Sequence, residues 1–177
     1  EYIKAGCDII TANTFGANSL KFNGDGDMPM LDDVVGAAIQ NAKNAACEGS
    51  GRDIYIALDV GPTGRLLKPL GDLDFEDAVN VFKETILLGK KYGADIILIE
   101  TMNDSYETKA AVLAAKECCS LPVFVSTTYD ENRKNMDDTF FKQMIERFVK
   151  ANANRYQEIS QEALSYIWEE TQGMEIG

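Results

Sequence analysis

The chain has 177 residues, 45% hydrophobic and 26% charged, and its 17 basic against 29 acidic side chains give a formal net charge of −12. That length suits one domain with a real core, and the negative charge repels phosphates at long range, which argues against nucleic acid and anionic membrane as partners. There is no histidine, and the four cysteines (Cys7, Cys47, Cys118, Cys119) form no CxxC, so the sequence spells neither a Cys/His zinc site nor a disulfide framework.

Glu1 to Gly6 reads as the last turn and cap of a helix that starts earlier, so the sequence reads as a fragment. A first strand is expected over 8–14. Loop 15–31 follows, broken by Gly16, Gly24, Gly26 and Pro29. A helix is expected from Asp32 to Cys47, with Asp32 or Asp33 as N-cap and Gly49 and Gly51 beyond its end. The second strand, 53–59, carries Ile54, Ile56 and Leu58 on one face and Tyr55 and Ala57 on the other, as in a sheet covered on both sides.

The turn Gly61-Pro62-Thr63-Gly64-Arg65 leads to a helix over 74–91. Its first turn is acidic (Glu76, Asp77) and its last basic (Lys90, Lys91), which complements the helix dipole. A third strand spans 95–100, a helix capped by Asn103 or Asp104 spans 104–118, and Pro122 opens a fourth strand over 122–128. A charged linker, 130–138, then leads to helical patterns near 138–151 and 154–171. The division is a partial barrel over 1–132 and a helical tail over 133–177.

The stretch Gly-Xaa-Asp-Ile-Ile occurs at Gly6–Ile10 and again at Gly93–Ile97, 87 residues on, with one strand between the copies. Two strand–helix units of roughly 43 residues each fit that offset, the spacing of a repeated βα architecture. A right-handed βα run of this kind gives a parallel sheet. Unit spacing and polar strand ends favour part of a (βα)8 barrel over an open doubly wound sheet.

Each strand ends in polar residues. Asn13 and Thr14 either bond a polar substrate or satisfy turn backbone. Asp59 either holds a substrate ammonium or serves the turn behind it. Glu100, directly after four apolar residues, stands at the rim of the barrel, where burial raises a carboxyl pKa and an ammonium lowers it. Ser126, Thr127 and Thr128 either line a pocket or reflect β-propensity on a strand, with Thr127 closing the strand. Gly24-Asp25-Gly26-Asp27 lacks the further ligands of a calcium loop. Adjacent Cys118 and Cys119 alone make no metal site, and Cys7 and Cys47 read as reduced core cysteines of a cytoplasmic protein.

Three motifs together closely resemble the homocysteine S-methyltransferase family. They are Ala12-Asn13-Thr14-Phe15-Gly16-Ala17-Asn18; Asp59-Val60-Gly61-Pro62-Thr63-Gly64 with Pro69-Leu70-Gly71; and Ile99-Glu100-Thr101-Met102-Asn103-Asp104 with Lys109-Ala110-Ala111. The likeness covers about residues 1–132 and is greatest to the homocysteine-binding modules of cobalamin-dependent methionine synthases.

The resemblance implies a (βα)8 barrel binding homocysteine at its C-terminal face, with a zinc ion on three cysteines making the thiol a thiolate. Cobalamin would sit on another domain. Glu100 matches the family's acidic residue for the homocysteine amino group. Asn13 and Thr14 fall on its substrate-lining strand end, although Ala12 stands where many relatives carry Thr. The present strands would be the family's second to fifth. Its zinc cysteines follow later strands and are not Cys118 and Cys119.

After Glu131 the sequence departs from the pattern, and residues 136–177 carry no motif of the family. The expectation is therefore a part of a homocysteine methyltransferase, inactive alone, completed by the remaining barrel half or a self-dimer. The rivals are another (βα)8 enzyme of aldolase or pterin-binding type, and a non-catalytic scaffold whose terminal helices bind a partner.

Overall fold

The computed structural model describes residues 2–23, 29–49 and 51–129. The chain divides into two compact units, Glu1–Thr128 and Tyr129–Gly177. The boundary at 132, the tail over 133–177 with the two helices expected there, and the Gly24–Asp27 loop lie outside the described residues.

The elements run α1 (Tyr2–Ala5), β1 (Ile9–Thr11), α2 (Leu31–Gly49), β2 (Tyr55–Val60), α3 (Phe75–Tyr92), β3 (Ile96–Met102), α4 (Ser105–Cys118) and β4 (Val123–Thr127). The four strands form one sheet in the order β1-β2-β3-β4, and every pair is parallel. Sequential order leaves no switch point. Right-handed crossovers then put every helix on the same side, as in a (βα)8 barrel and unlike a doubly wound sheet.

The helix-facing side of the sheet is the core. Ile56, Leu58 and Val60 of β2 and Ile97 and Ile99 of β3 pack against buried residues of the helices. On α2 these are Val35, Ile39 and Ala42, spaced to lie along one face. Cys47 falls off that stripe and is exposed, and Cys7 is half-buried, so neither is a core cysteine. On α4 the buried face is Ala110, Ala111, Ala114 and Ala115, small enough for close packing. At Gly89 of α3 a Cβ would lie 2.5 Å from Leu58 Cδ2, so the absent side chain sets the distance between helix and sheet.

The opposite side of the sheet carries Ile9, Tyr55 and Phe124, which are 40%, 52% and 49% exposed. Both faces of β2 are nonetheless covered along most of its length, since Ala57 (1% exposed) and Asp59 (8%) lie on that same side and Tyr55 alone of the strand stands open.

Most element boundaries fall near expectation, and the departures have local causes. β1 stops at Thr11 because the chain curls, with Thr14 N–H donating to Ala12 and Ala17 N–H to Thr14. α2 starts at Leu31, so Asp32 lies within its first turn; its carboxylate accepts from Lys91 Nζ at 2.6 Å and Tyr92 OH at 2.8 Å instead of capping. Asp74 holds the cap position of α3 without a side-chain cap bond, and its carboxylate accepts from Lys68 Nζ at 2.9 Å. Asp104 does cap α4, accepting from Glu107 N–H at 2.8 Å.

The connection from β2 to α3 is a built piece of structure. Lys68 N–H donates to Leu73 O at 2.9 Å, Gly71 N–H to Leu67 O at 2.9 Å, and Leu73 N–H to Leu66 O at 3.2 Å. Ion pairs Arg65–Asp72 and Lys68–Asp74 brace it outside. A Cβ at Gly71 would lie 2.1 Å from Leu66 O, so no other residue fits that turn.

Candidate functional site at the strand ends

Parallel strands deliver their C-terminal residues to one rim. Asp59 ends β2 one residue before Val60, and Glu100 and Thr101 lie near the end of β3. Opposite residues in a ladder share a face. Asp59 pairs with Leu98, so it lies on the open side of the sheet, and Glu100 follows on that side one pleat later.

Asp59 is 8% exposed and its Oδ1 has no hydrogen-bond partner. A buried carboxylate oxygen left unpaired is costly. Burial pushes the Asp59 carboxyl up to about 6, and the Glu100 carboxylate adds to this by its charge and by a hydrogen bond. Two acidic groups thus stand at one rim, one of them with an unanswered acceptor.

Thr14 fixes this arrangement. Its hydroxyl donates to the Asp59 carbonyl at 2.8 Å and accepts from the Asp59 N–H at 3.0 Å. β1 has ended by then, with Ala12 N–H donating to Ala57 O at 2.9 Å as its last rung. The Thr14 side chain thus continues a ladder that backbone has abandoned. Its hydroxyl is engaged with backbone, and Thr14 sits 1% exposed behind the acid.

β3 carries the one described non-glycine residue with positive φ, Thr101 at 58°. The β3–β4 register shifts there: Ile99 pairs with Val125, but Met102 pairs with Thr127. Two residues, Glu100 and Thr101, thus stand between two that face the helices. This bulge keeps Met102 in the core while giving the rim an additional polar residue. Thr101 N–H donates to Ser126 Oγ at 3.2 Å.

The structure gathers the expected residues unequally. Asp59 and Glu100 come together. Thr14 supports Asp59 from behind. Asn13 is exposed at the end of β1. Thr127 stands opposite Met102 on the helix side of the sheet, whereas Ser126 precedes it on the open side beside Thr101. Sequence offered Ser126, Thr127 and Thr128 alike as pocket-lining hydroxyls, and the bulge that decides which of them faces the rim left no mark in the sequence pattern.

A second acidic group escaped sequence reasoning. Glu107 of α4 is 3% exposed. Its Oε1 accepts from Thr63 N–H at 2.8 Å and from Thr63 Oγ1 at 2.6 Å. Burial raises its pKa and both Thr63 bonds oppose that. Asn18 Nδ2 donates to Thr63 O at 3.3 Å. The connections after β1 and β2 and the start of α4 are thereby tied at Thr63. A Glu in the first turn of a helix reads from sequence as dipole complement, which hides this role.

Among the described residues no three His, Cys, Asp or Glu side chains gather to hold a metal ion. Cys118 and Cys119 close α4 at the end away from the rim. The described side chains thus do not fit a zinc ion on three cysteines. No helix among them is long and apolar enough to cross a membrane.

Comparison with known proteins agrees with the fold. A sequence profile of the homocysteine S-methyltransferase family matches residues 1–160, further along the chain than the motifs read above and past residue 136. Methionine synthase of Mycobacterium leprae (strain TN) is 32% identical over 137 residues, 73% of this chain and 11% of that protein. Methionine synthase of Mycobacterium tuberculosis (strain ATCC 25618 / H37Rv) is 34% identical over 137 residues, with the same shares. This chain thus spans about a tenth of either relative.

Among solved structures, the homocysteine methyltransferase MmuM from Escherichia coli is similar in fold. Its metallated form superposes with a TM-score of 0.69 at 15% identity, over 84% of this chain and 56% of that one. Its oxidized form gives 0.68 at 17% identity, over 86% and 55%.

Proposed function

From the premise that the chain belongs to the homocysteine S-methyltransferase family, we propose that its strand ends form the amino-acid-holding part of a module that transfers a methyl group to homocysteine. The observation that carries this reading is the buried Asp59 with its unpaired Oδ1 beside Glu100. A substrate ammonium supplies the cation that this pair lacks, with three donors to share between two carboxylates. Thr14 holds Asp59 in place, and the Thr101 bulge brings Glu100 to the rim. Asn13 and Ser126 complete the polar rim. Thr127 belongs to the reading as a neighbour of Ser126.

The family's zinc would ionise the homocysteine thiol. The described residues do not supply a set of ligands for it. The cobalamin of a methionine synthase would reside elsewhere. What this chain's residues do is bind and orient the amino-acid end of the substrate. Conversion of homocysteine to methionine is the activity of the whole module, which the remaining barrel half or a second copy would complete, in the cytoplasm. Methionine formation by this chain alone would overturn the expectation that it is inactive by itself.

Calorimetric titration with L-homocysteine tests the binding role. Glu100→Ala is expected to weaken binding at least tenfold, since a charge-assisted contact is worth about 1.5–3 kcal/mol. Equal affinity for wild type and Glu100→Ala would remove the site from this rim.

A further inference from the structure

An ammonium site at this rim has an unusual starting condition. Its two carboxylates lie on neighbouring strands, and Thr14 pins the backbone of one of them. The groups facing Asp59 are few. From β3 comes Glu100, which acts on it by charge and by hydrogen bond. From the segment after β1 comes Thr14, which carries no charge. The helices lie on the other face of the sheet. No lysine or arginine contributes to the Asp59 titration. A buried Asp59 carboxylate beside the half-buried Glu100, without a cation, is costly to keep charged.

We propose that in mildly acidic solution Asp59, beside Glu100, holds a proton in the empty site and releases it to solvent when the substrate ammonium lies between the two acids. This inference rests on the ammonium reading of the site. Its balance is simple. Before binding there are one carboxylic acid, one carboxylate and a free ammonium; afterwards there are two carboxylates, the ammonium between them, and one proton in the buffer. The orphaned Oδ1 of Asp59 is the atom that gains a donor. Amino-acid capture is then coupled to pH, and a ligand without an amino group does not discharge the pair.

The coupling follows by linkage. With the Asp59 group titrating at about 6, affinity for an amino acid is level above that pH and falls up to tenfold for each pH unit below it. Specificity follows as well. A neutral or anionic group at the α-position leaves the acid pair protonated and gains no charge-assisted bond.

The test is calorimetry at pH 5.5 and pH 8, each in two buffers of different ionisation enthalpy. L-homocysteine is compared with 4-mercaptobutyrate, the same thiol acid without its amino group, so that any thiol ionisation cancels in the difference. Most of one proton released by homocysteine at pH 5.5, almost none at pH 8, and none attributable to the analogue is the expected result. Asp59→Asn should bind with no pH slope between 5.5 and 8. The wild-type buffer comparison stands even if that variant folds poorly. Homocysteine binding at pH 5.5 with heats identical in both buffers would overturn the proton exchange and leave the ammonium site standing. No binding at either pH would overturn both.

Discussion

Thr63 and Glu107 are 44 residues apart and meet twice, the Thr63 N–H and hydroxyl both donating to the same Glu107 oxygen at 2.8 and 2.6 Å. This joins the connection after β2 to the first turn of α4. Glu107→Ala would leave a buried N–H and hydroxyl without an acceptor, and unmet groups of this kind cost about 1–3 kcal/mol each. The expected loss is about 2–4 kcal/mol in urea unfolding. Thr63→Val removes only the hydroxyl and should cost less. In a double-mutant cycle the two changes should be strongly non-additive; additive effects would mean that the clamp holds nothing.

Asp59 should cost the fold stability at neutral pH. Its carboxyl is raised from 3.8 to about 6, so the folded state holds a proton that the unfolded state gives up more easily. The folded state then binds more protons between those values, and stability falls as pH rises through that window. Asp59→Asn keeps the shape and removes the charge. We expect the variant to be about 1–2 kcal/mol more stable than wild type at pH 8. The gain should vanish at pH 4, as read by thermal unfolding at both pH values. An equal effect at both would separate Asp59 from the titration.

Thr101 has φ of 58°, a region hostile to a β-branched side chain. Such strain costs on the order of 1–3 kcal/mol. Thr101→Gly relieves it, partly offset by about 0.5–1 kcal/mol of backbone entropy. The variant should be equally stable or slightly more so, yet bind homocysteine more weakly, because the adjacent Glu100 loses its fixed direction. Lower stability together with unchanged binding would contradict this account.

Gly89 lies where α3 comes nearest the sheet. In Gly89→Ala the added methyl would meet Leu58 at 2.5 Å. Helix propensity alone predicts a gain of about 1 kcal/mol. Overpacking predicts a loss of about 1–3 kcal/mol. We expect the loss to win, and Leu58→Val to restore part of the stability in the double variant. A stabilised single variant would show that the helix moves away freely.

Period and punctuation carried most of the fold. β2, α3, β3, α4 and β4 were legible because their apolar residues keep one repeat and their ends carry Asp, Gly or Pro. β1 was overestimated: Ala12 to Thr14 has strand-like composition, but Thr14 takes a ladder role by side chain and the backbone turns away. The acids at the strand ends were also legible, since a carboxylate after an apolar run stands out. The partnership of Asp59 with Glu100 was not, because it depends on a register between strands far apart in sequence. Glu107 was hidden, and Ser126 could not be told apart from Thr127 and Thr128, for related reasons. A bulge reassigns faces without changing composition, and a buried carboxylate in a helix's first turn looks like a surface one.

The connection between β2 and α3 has a consequence for how the rim meets a ligand. Its turns are closed by main-chain bonds, its outside is braced by ion pairs, and Gly71 sits against Leu66 with no room for a side chain. A protease probing the native chain should pass over residues 65–74 despite their lack of helix or strand. An incoming molecule finds that stretch of the mouth already shaped, so little of its binding energy is diverted to ordering it.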